Sequence, residues 1–252
     1  MAGPSVIIGG RAHTLEQARE VGALGLPFAE ISLDDTERAG EMLDALLEIR
    51  ERHGISYIAH YPNEGNPFDT DRLKREFVPK IKGLVDVSVK LGIEKATVHF
   101  WMDRRWAPGD LVSRKIALLA EMAAYAAGKG LVLCLENLSE RYDSFQPAFE
   151  AIPCLRMTLD IGHAQLLSSR NASFGFMENA FERIAHLHVH DNNGGTSVND
   201  DLHLPLGRGS IDFPAILSEL RRKGYASTVT MEVAPGDMPE MAETIGKYLL
   251  VP

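Results

Sequence analysis

Nine side chains of metal-binding type recur along this chain, most of them where an apolar run ends. They are His60, His99, Glu136, Asp160, His163, His188, Asp201, His203 and Glu232. The pattern is densest in Leu155–Ala164, LRMTLDIGHA, where Asp160 ends an apolar run and His163 follows across a Gly turn. A lone strand-end His is more often a hydrogen-bonded structural residue, and a lone Glu more often solvated or paired. Recurrence at nearly every strand end argues for function instead. Carboxylates converging on one rim repel one another, and a divalent cation removes that conflict. Imidazole mixed with carboxylate suits zinc, manganese or iron(II) better than calcium. The expected cofactor is one to three divalent ions, Zn2+ or Mn2+.

Such groups converge only if the elements beneath them are arranged in a ring. Short β-forming runs are expected at Val6–Gly10, Phe28–Leu33, Ser56–Tyr61, Lys95–Phe100, Leu131–Leu135, the run ending in Asp160, His186–His190 and Ser227–Val233. Helical periodicity follows each one: from Thr14 to Gly22, then Glu37–His53, Asp71–Leu91, Ser113–Lys129, a short stretch Gln146–Ala151, Phe176–Ile184, Phe213–Lys223 and Met238–Leu250. Gly54, Gly92, Gly130 and Gly224 supply helix stops. Strands five and six are apolar without alternation, as in a parallel sheet covered on both faces. Eight strand–helix units predict an α/β fold, a single (β/α)8 TIM barrel over residues 1–252, with its chemistry on the C-terminal rim. An open doubly wound sheet would need a glycine-rich phosphate turn after strand one, and Gly9-Gly10-Arg11 is too short for one.

The length of 252 residues suits one such barrel, typically about 250 residues. Twenty-six basic residues against 35 acidic give a net charge of −9. That disfavours an electrostatic grip on nucleic acid, although bound cations would cancel some carboxylates locally. Cys134 and Cys154 read as two buried reduced thiols with no disulfide or CxxC spacing. MAGPSVIIGG lacks a signal-peptide pattern, and no apolar window is long enough for a membrane span. The expectation is a cytoplasmic protein, a monomer or small homo-oligomer.

Seven motifs in this order resemble the xylose isomerase-like TIM-barrel superfamily, which joins sugar isomerases and epimerases to endonuclease IV. They are IAHYP, TVHFW, LCLEN, LDIGHA, LHVHDNN, DLHLPLGRGSIDF and MEVAP. The resemblance implies that Glu136, Asp160, His188 and Glu232 form the shared metal site, with Glu136 and Glu232 as the acid/base pair of an epimerase. It further implies that His60, His99, His163, Asp201 and His203 complete what in endonuclease IV is a trinuclear zinc cluster. His188 is preferred over His190 because it stands three residues before Asp191, as the endonuclease IV ligand does. His190 is then supporting or structural.

The loops distinguish two functions. SLDDTERAG after strand two is short and acidic, and YPNEGNPFD after strand three carries no inserted apolar wedge. Opening an abasic site needs such wedges and a phosphate track. WMDRRWAPG after strand four is different: Trp101, Arg104, Arg105 and Trp106 could stack a base, hold a phosphate or cover a sugar. Trp101, Arg104, Arg105 and Asn137 are the expected substrate contacts. Loop length and charge place a metal-dependent sugar or sugar phosphate isomerase or epimerase first. An endonuclease IV-like phosphodiesterase comes second.

Overall fold

The computed structural model describes residues 5–250; the outermost residues of the expected 1–252 domain, 1–4 and 251–252, lie outside the described residues. Eight parallel strands close on themselves in chain order: β1 (Ile7–Ala12), β2 (Phe28–Ser32), β3 (Ser56–His60), β4 (Lys95–His99), β5 (Val132–Glu136), β6 (Arg156–Asp160), β7 (Ile184–Val189) and β8 (Thr228–Met231). Closure between β1 and β8 leaves no sheet edge unpaired. The molecule is a single (β/α)8 TIM barrel.

The helices are α1 (Leu15–Ala23), α2 (Thr36–Glu41), α3 (Leu43–His53), α4 (Thr70–Arg72), α5 (Val78–Lys90), α6 (Gly109–Gly128), α7 (Tyr142–Ala151), α8 (Ser173–Asn179), α9 (Phe213–Arg222) and α10 (Met238–Leu249). They wrap the barrel and bury Ala18, Leu46, Ile81, Leu119, Phe145, Leu217 and Ile245 against the outward faces of the strands. Register places ligands side by side. His99 pairs with Glu136 across β4 and β5, and Asp160 with His188 across β6 and β7.

Several boundaries differ from the sequence expectation for physical reasons. The expected helix over Glu37–His53 is two helices, because the chain opens at Met42 with φ −80° and ψ −10°. The expected helix over Asp71–Leu91 carries a π-helical segment, Leu73–Phe77. Pro79 follows it and has no N–H to give the carbonyl four residues back, so the wider turn relieves the ladder. Helix α7 starts earlier than expected and accommodates Pro147 in its interior. Helix α8 ends at Asn179, short of the expected Ile184. Strand β1 continues through the Gly-Gly pair to Ala12, and a Cβ on Gly9 would meet Phe28. Gly9 therefore serves close strand packing, and Gly10 makes room for Met238 of α10 and Val21 of α1. Cys134 is buried as expected, whereas Cys154 is exposed, because it precedes β6 in a turn outside the barrel. Among the described residues no helix is long and apolar enough to cross a membrane.

Candidate metal centre

Ligand-type side chains stand at or just beyond the C-terminal ends of β3 to β8. His60, His99, Glu136 and Asp160 are the last residues of their strands. His188 is the penultimate residue of β7, and Glu232 follows the end of β8. Asp201 and His203 arrive on the long loop after β7. Asp191 shapes that loop: its backbone bridges to Leu204, and its carboxylate accepts from the N–H groups of Asn192, Gly207 and Ile211. Asn192 ties the same loop to the LDIGHA turn by donating to the Gly162 carbonyl at 2.9 Å. A Cβ on Gly162 would run into the His190 ring, so glycine at that turn lets His190 close over Asp160.

All nine sequence-predicted ligands converge, in three connected groups. His60, His99 and Glu136 form one, and Glu136, Asp160, His188 and Glu232 a second. His163, His190, Asp201 and His203 form a third, with the ligand atoms in each group within 4.8 Å of one another. Glu136 belongs to two groups. Its Oε2 faces His99 Nε2 at 2.7 Å and His60 Nε2 at 3.5 Å. Its Oε1 faces His188 Nδ1 at 3.0 Å and His163 Nδ1 at 3.3 Å. His188 Nδ1 also lies 3.4 Å from Glu232 and 3.8 Å from Asp160. Asp201 Oδ2 sits 3.1 Å from both His163 Nε2 and His203 Nε2.

Electrostatics keep these opposite charges in place. Burial opposes the charge on His188, yet Glu232, Glu30 and Glu136 outweigh it and hold the imidazole well above its ordinary value. Burial likewise opposes the charge on Glu136, and His188 and His99 hold that carboxyl well below the usual range. His203, partnered by Asp201, is raised to about 9 against the pull of burial. His60 goes the other way: burial, then Arg11, drops it to about 3, which leaves a neutral imidazole.

The residues fit divalent cations. Donors are imidazole nitrogens and carboxylate oxygens without thiolate, the set suited to zinc or manganese. Two buried atoms inside the third group, His190 Nδ1 and Asp201 Oδ1, have no hydrogen-bond partner. Unsatisfied buried polar atoms are costly and point to an ion or water. Backbone strain is concentrated here too. Among the described residues, the non-glycine positions with positive φ are His203 at 48° and Leu167 at 54°. His203 belongs to the third group and Leu167 lines the cavity beside it; such conformations commonly serve function.

Sequence reasoning missed several participants. Glu30, in the middle of β2, is fully buried and accepts from His188 Nε2 at 2.9 Å and His186 Nε2 at 2.8 Å. It thereby fixes His188 so that Nδ1 faces the centre. The signal was a carboxylate flanked on both sides by apolar residues in FAEIS. Arg11 reaches Glu232 at 3.5 Å. His190, expected only to support, is 3.1 Å from Asp160 and 3.7 Å from Asp201, inside the third group.

The expected substrate contacts separate. Trp101, with Trp106, lines a cavity beside His99, His163 and Asp201. Arg105 is held within the protein: it bonds Asp103, the Leu167 carbonyl and the Ser139 carbonyl. Arg104 donates to the Asp143 carbonyl at 3.2 Å. Asn137 donates to the Asp160 carbonyl and accepts from its N–H, both at 2.9 Å, locking β5 to β6 beneath the centre.

The family model described as xylose isomerase-like TIM barrel matches residues 15–247. An uncharacterized protein of Methanocaldococcus jannaschii is 27% identical over 201 residues, covering 74% of this chain and 67% of its own. A D-tagatose 3-epimerase-like protein superposes with a TM-score of 0.82 at 24% identity, covering 97% of both chains. An AP endonuclease, family 2, from Brucella melitensis superposes with a TM-score of 0.73 at 14% identity, covering 96% of this chain and 99% of its own. At these identities the structural likenesses speak for the fold alone.

Proposed function

The chain belongs to the xylose isomerase-like TIM-barrel family, and on that premise we propose that it is a divalent-metal-dependent phosphoester hydrolase. The observation that carries this reading is Glu136. Its two oxygens face two different imidazole pairs, His60 with His99 and His163 with His188. A carboxylate engaged on both oxygens would serve as a ligand in two groups, and it is poorly placed to abstract a proton from carbon. His60, His99 and Glu136 would hold one ion, and Glu136, Asp160, His188 and Glu232 a second. His163, Asp201 and His203, with His190 beside them, would hold a third. Ions clustered in this way supply an activated water and charge neutralisation for in-line displacement at phosphorus.

The chain's own residues set that geometry. Glu30 orients His188, and Arg11 steadies Glu232. Asp191 anchors the loop that brings Asp201 and His203 over the rim. Water adds across the ester: a new P–O bond forms, the ester P–O bond breaks, and the leaving alkoxide collects the proton that water gives up. In this reading Trp101 is a substrate contact, Arg105 braces the wall through Ser139, Leu167 and Trp106, and Asn137 locks the strands beneath the centre.

The second reading is a sugar or sugar phosphate epimerase, with Glu136 and Glu232 as the acid/base pair. Its specific support is the convergence of those two glutamates in one candidate metal group. One experiment separates the two. Zinc- or manganese-loaded protein is given bis(4-nitrophenyl) phosphate, an oligonucleotide with one abasic site, and a ketose panel in deuterated water. Phosphoester cleavage at catalytic enzyme levels, lost in His203→Ala, is the expected result. Solvent deuterium entering a ketose with no ester cut would overturn the hydrolase in favour of the epimerase.

A further inference from the structure

The cavity beside the metal centre has a wall whose chemistry the reaction leaves unexplained. It has a volume of about 580 Å³ and meets the centre at His99, His163 and Asp201. The rest of the lining is dominated by Trp101, Trp106, Leu138, Leu166, Leu167 and Val198. Phe68 extends this surface outward, its ring centroid 5.6 Å from that of Trp101. Phe68, Trp106 and Val198 are 56%, 51% and 89% exposed, so three large apolar side chains stand in water together at this mouth. A concentrated exposed apolar patch on a folded monomer marks a binding site.

Several polar groups of the wall are already engaged. Ser139 Oγ accepts from the Trp101 indole and donates to Asp103. Asn63 is bonded to His99, and Ser197 Oγ accepts from the Asn199 N–H. A sugar ring needs many free donors and acceptors, and this wall offers few. A polynucleotide needs cationic side chains along its track, and no Lys or Arg is among the lining residues. The indoles are rigidly held. Trp101 is fixed through its N–H, and the Arg105 guanidinium packs 4.2 Å from the Trp106 ring. Rigid aromatic faces next to a charge-neutralising centre suit a flat ring with an anionic ester attached.

We propose that this cavity binds the aromatic ring of a small phosphoester, an aryl or heteroaryl ester, with the phosphate directed at the metal centre. The inference rests on the hydrolase reading above and narrows it to substrates of one ring system and one ester group. Arg105 is then a positioning residue, acting on the ligand through Trp106.

The test is calorimetric binding of two non-hydrolysable anions, phenylphosphonate and methylphosphonate, to zinc-loaded full-length protein. The aromatic anion is expected to bind about tenfold more tightly, on the scale of one ring stacked on an aromatic side chain. Trp106→Ala should shrink that preference to within about threefold, and Trp106→Phe should restore most of it. Both tryptophans of the chain line this cavity, so phenylphosphonate should also quench the intrinsic fluorescence. Equal affinity for the two anions would overturn the aromatic slot and leave the hydrolase standing. A preference that survives both Trp106→Ala and Trp101→Ala would also overturn it. Binding of neither anion would overturn the hydrolase reading itself, and this inference with it.

Discussion

Two buried clusters of charge lie on the same rim, and they are built on opposite terms. Under the loop after β4, Lys115 Nζ contacts Glu64 Oε2 at 2.5 Å, and both side chains are buried. The other Glu64 oxygen accepts from the Trp101 N–H. Glu140 accepts from the N–H groups of Met102, Leu138 and Ser139. Asp103 is held by Arg105 and Ser139. Each of these carboxylates is satisfied by partners within the protein. In the metal centre, by contrast, His190 Nδ1 and Asp201 Oδ1 are buried without partners, and His203 sits at positive φ. A satisfied cluster stabilises one loop conformation and so holds the aromatic wall. An unsatisfied, strained cluster keeps coordination capacity for something the chain does not itself supply.

Substitutions on either side of that contrast should fail differently. The largest effect is expected for Glu136→Gln. Replacing one carboxylate oxygen by an amide should cut metal-dependent turnover roughly 10³-fold or more, the scale of losing a preorganised electrostatic group. Circular dichroism should show an unchanged fold. Full activity in this variant would remove Glu136 from the mechanism.

Lys115→Met should do the reverse. Burial pushes the Glu64 carboxyl up and the Lys115 ammonium down, and their mutual attraction opposes both shifts. Removing the ammonium strands a buried carboxylate, so urea unfolding should show a loss of about 3–5 kcal/mol. Metal affinity, measured on the folded protein by competition with a chelator, should stay near wild type. A loss confined to metal binding would erase the distinction between the clusters.

Loss of a single bound ion should cost less than that substitution. A ligand present at a hundred times its Kd stabilises the native state by about 2.7 kcal/mol. For a domain of this size that corresponds to roughly 5–10 °C in Tm for each ion removed. Calorimetry of zinc-loaded and chelator-treated protein checks it, and equal Tm values would argue that the centre takes no ion. The smallest effect is expected for Glu30→Gln, which keeps a hydrogen bond to His188 but loses the charge behind it. Metal affinity should fall about ten- to hundredfold, as for other changes behind a ligating imidazole. An unchanged affinity would make Glu30 a packing residue only.

Much of this molecule was legible in sequence because a parallel barrel converts chain order into spatial order. Strand runs such as LVLCLE and MTLD end in Glu136 and Asp160, and every parallel strand ends on the same rim. The fold and the convergence of the six candidate ligands at strand ends follow from that rule, whereas Asp201 and His203 reach the rim on the loop that Asp191 anchors. Boundaries were less legible where local exceptions intervene, as at Pro79 and Met42.

The sequence by itself determined that His60, His99, Glu136, Asp160, His188 and Glu232 face one rim, since strand period and chain direction are local properties. Only the tertiary structure decided how those groups share one another. Glu136 lies between two imidazole pairs, and Glu30 meets His188 across 158 positions of chain. Arg105 carries the same charge wherever it sits, yet Asp103, Ser139 and Leu167 take all of its bonds. Which partner a charged side chain takes depends on distances of a few ångströms between separate loops. Those distances are fixed by the closure of the barrel and by loops such as the one Asp191 anchors.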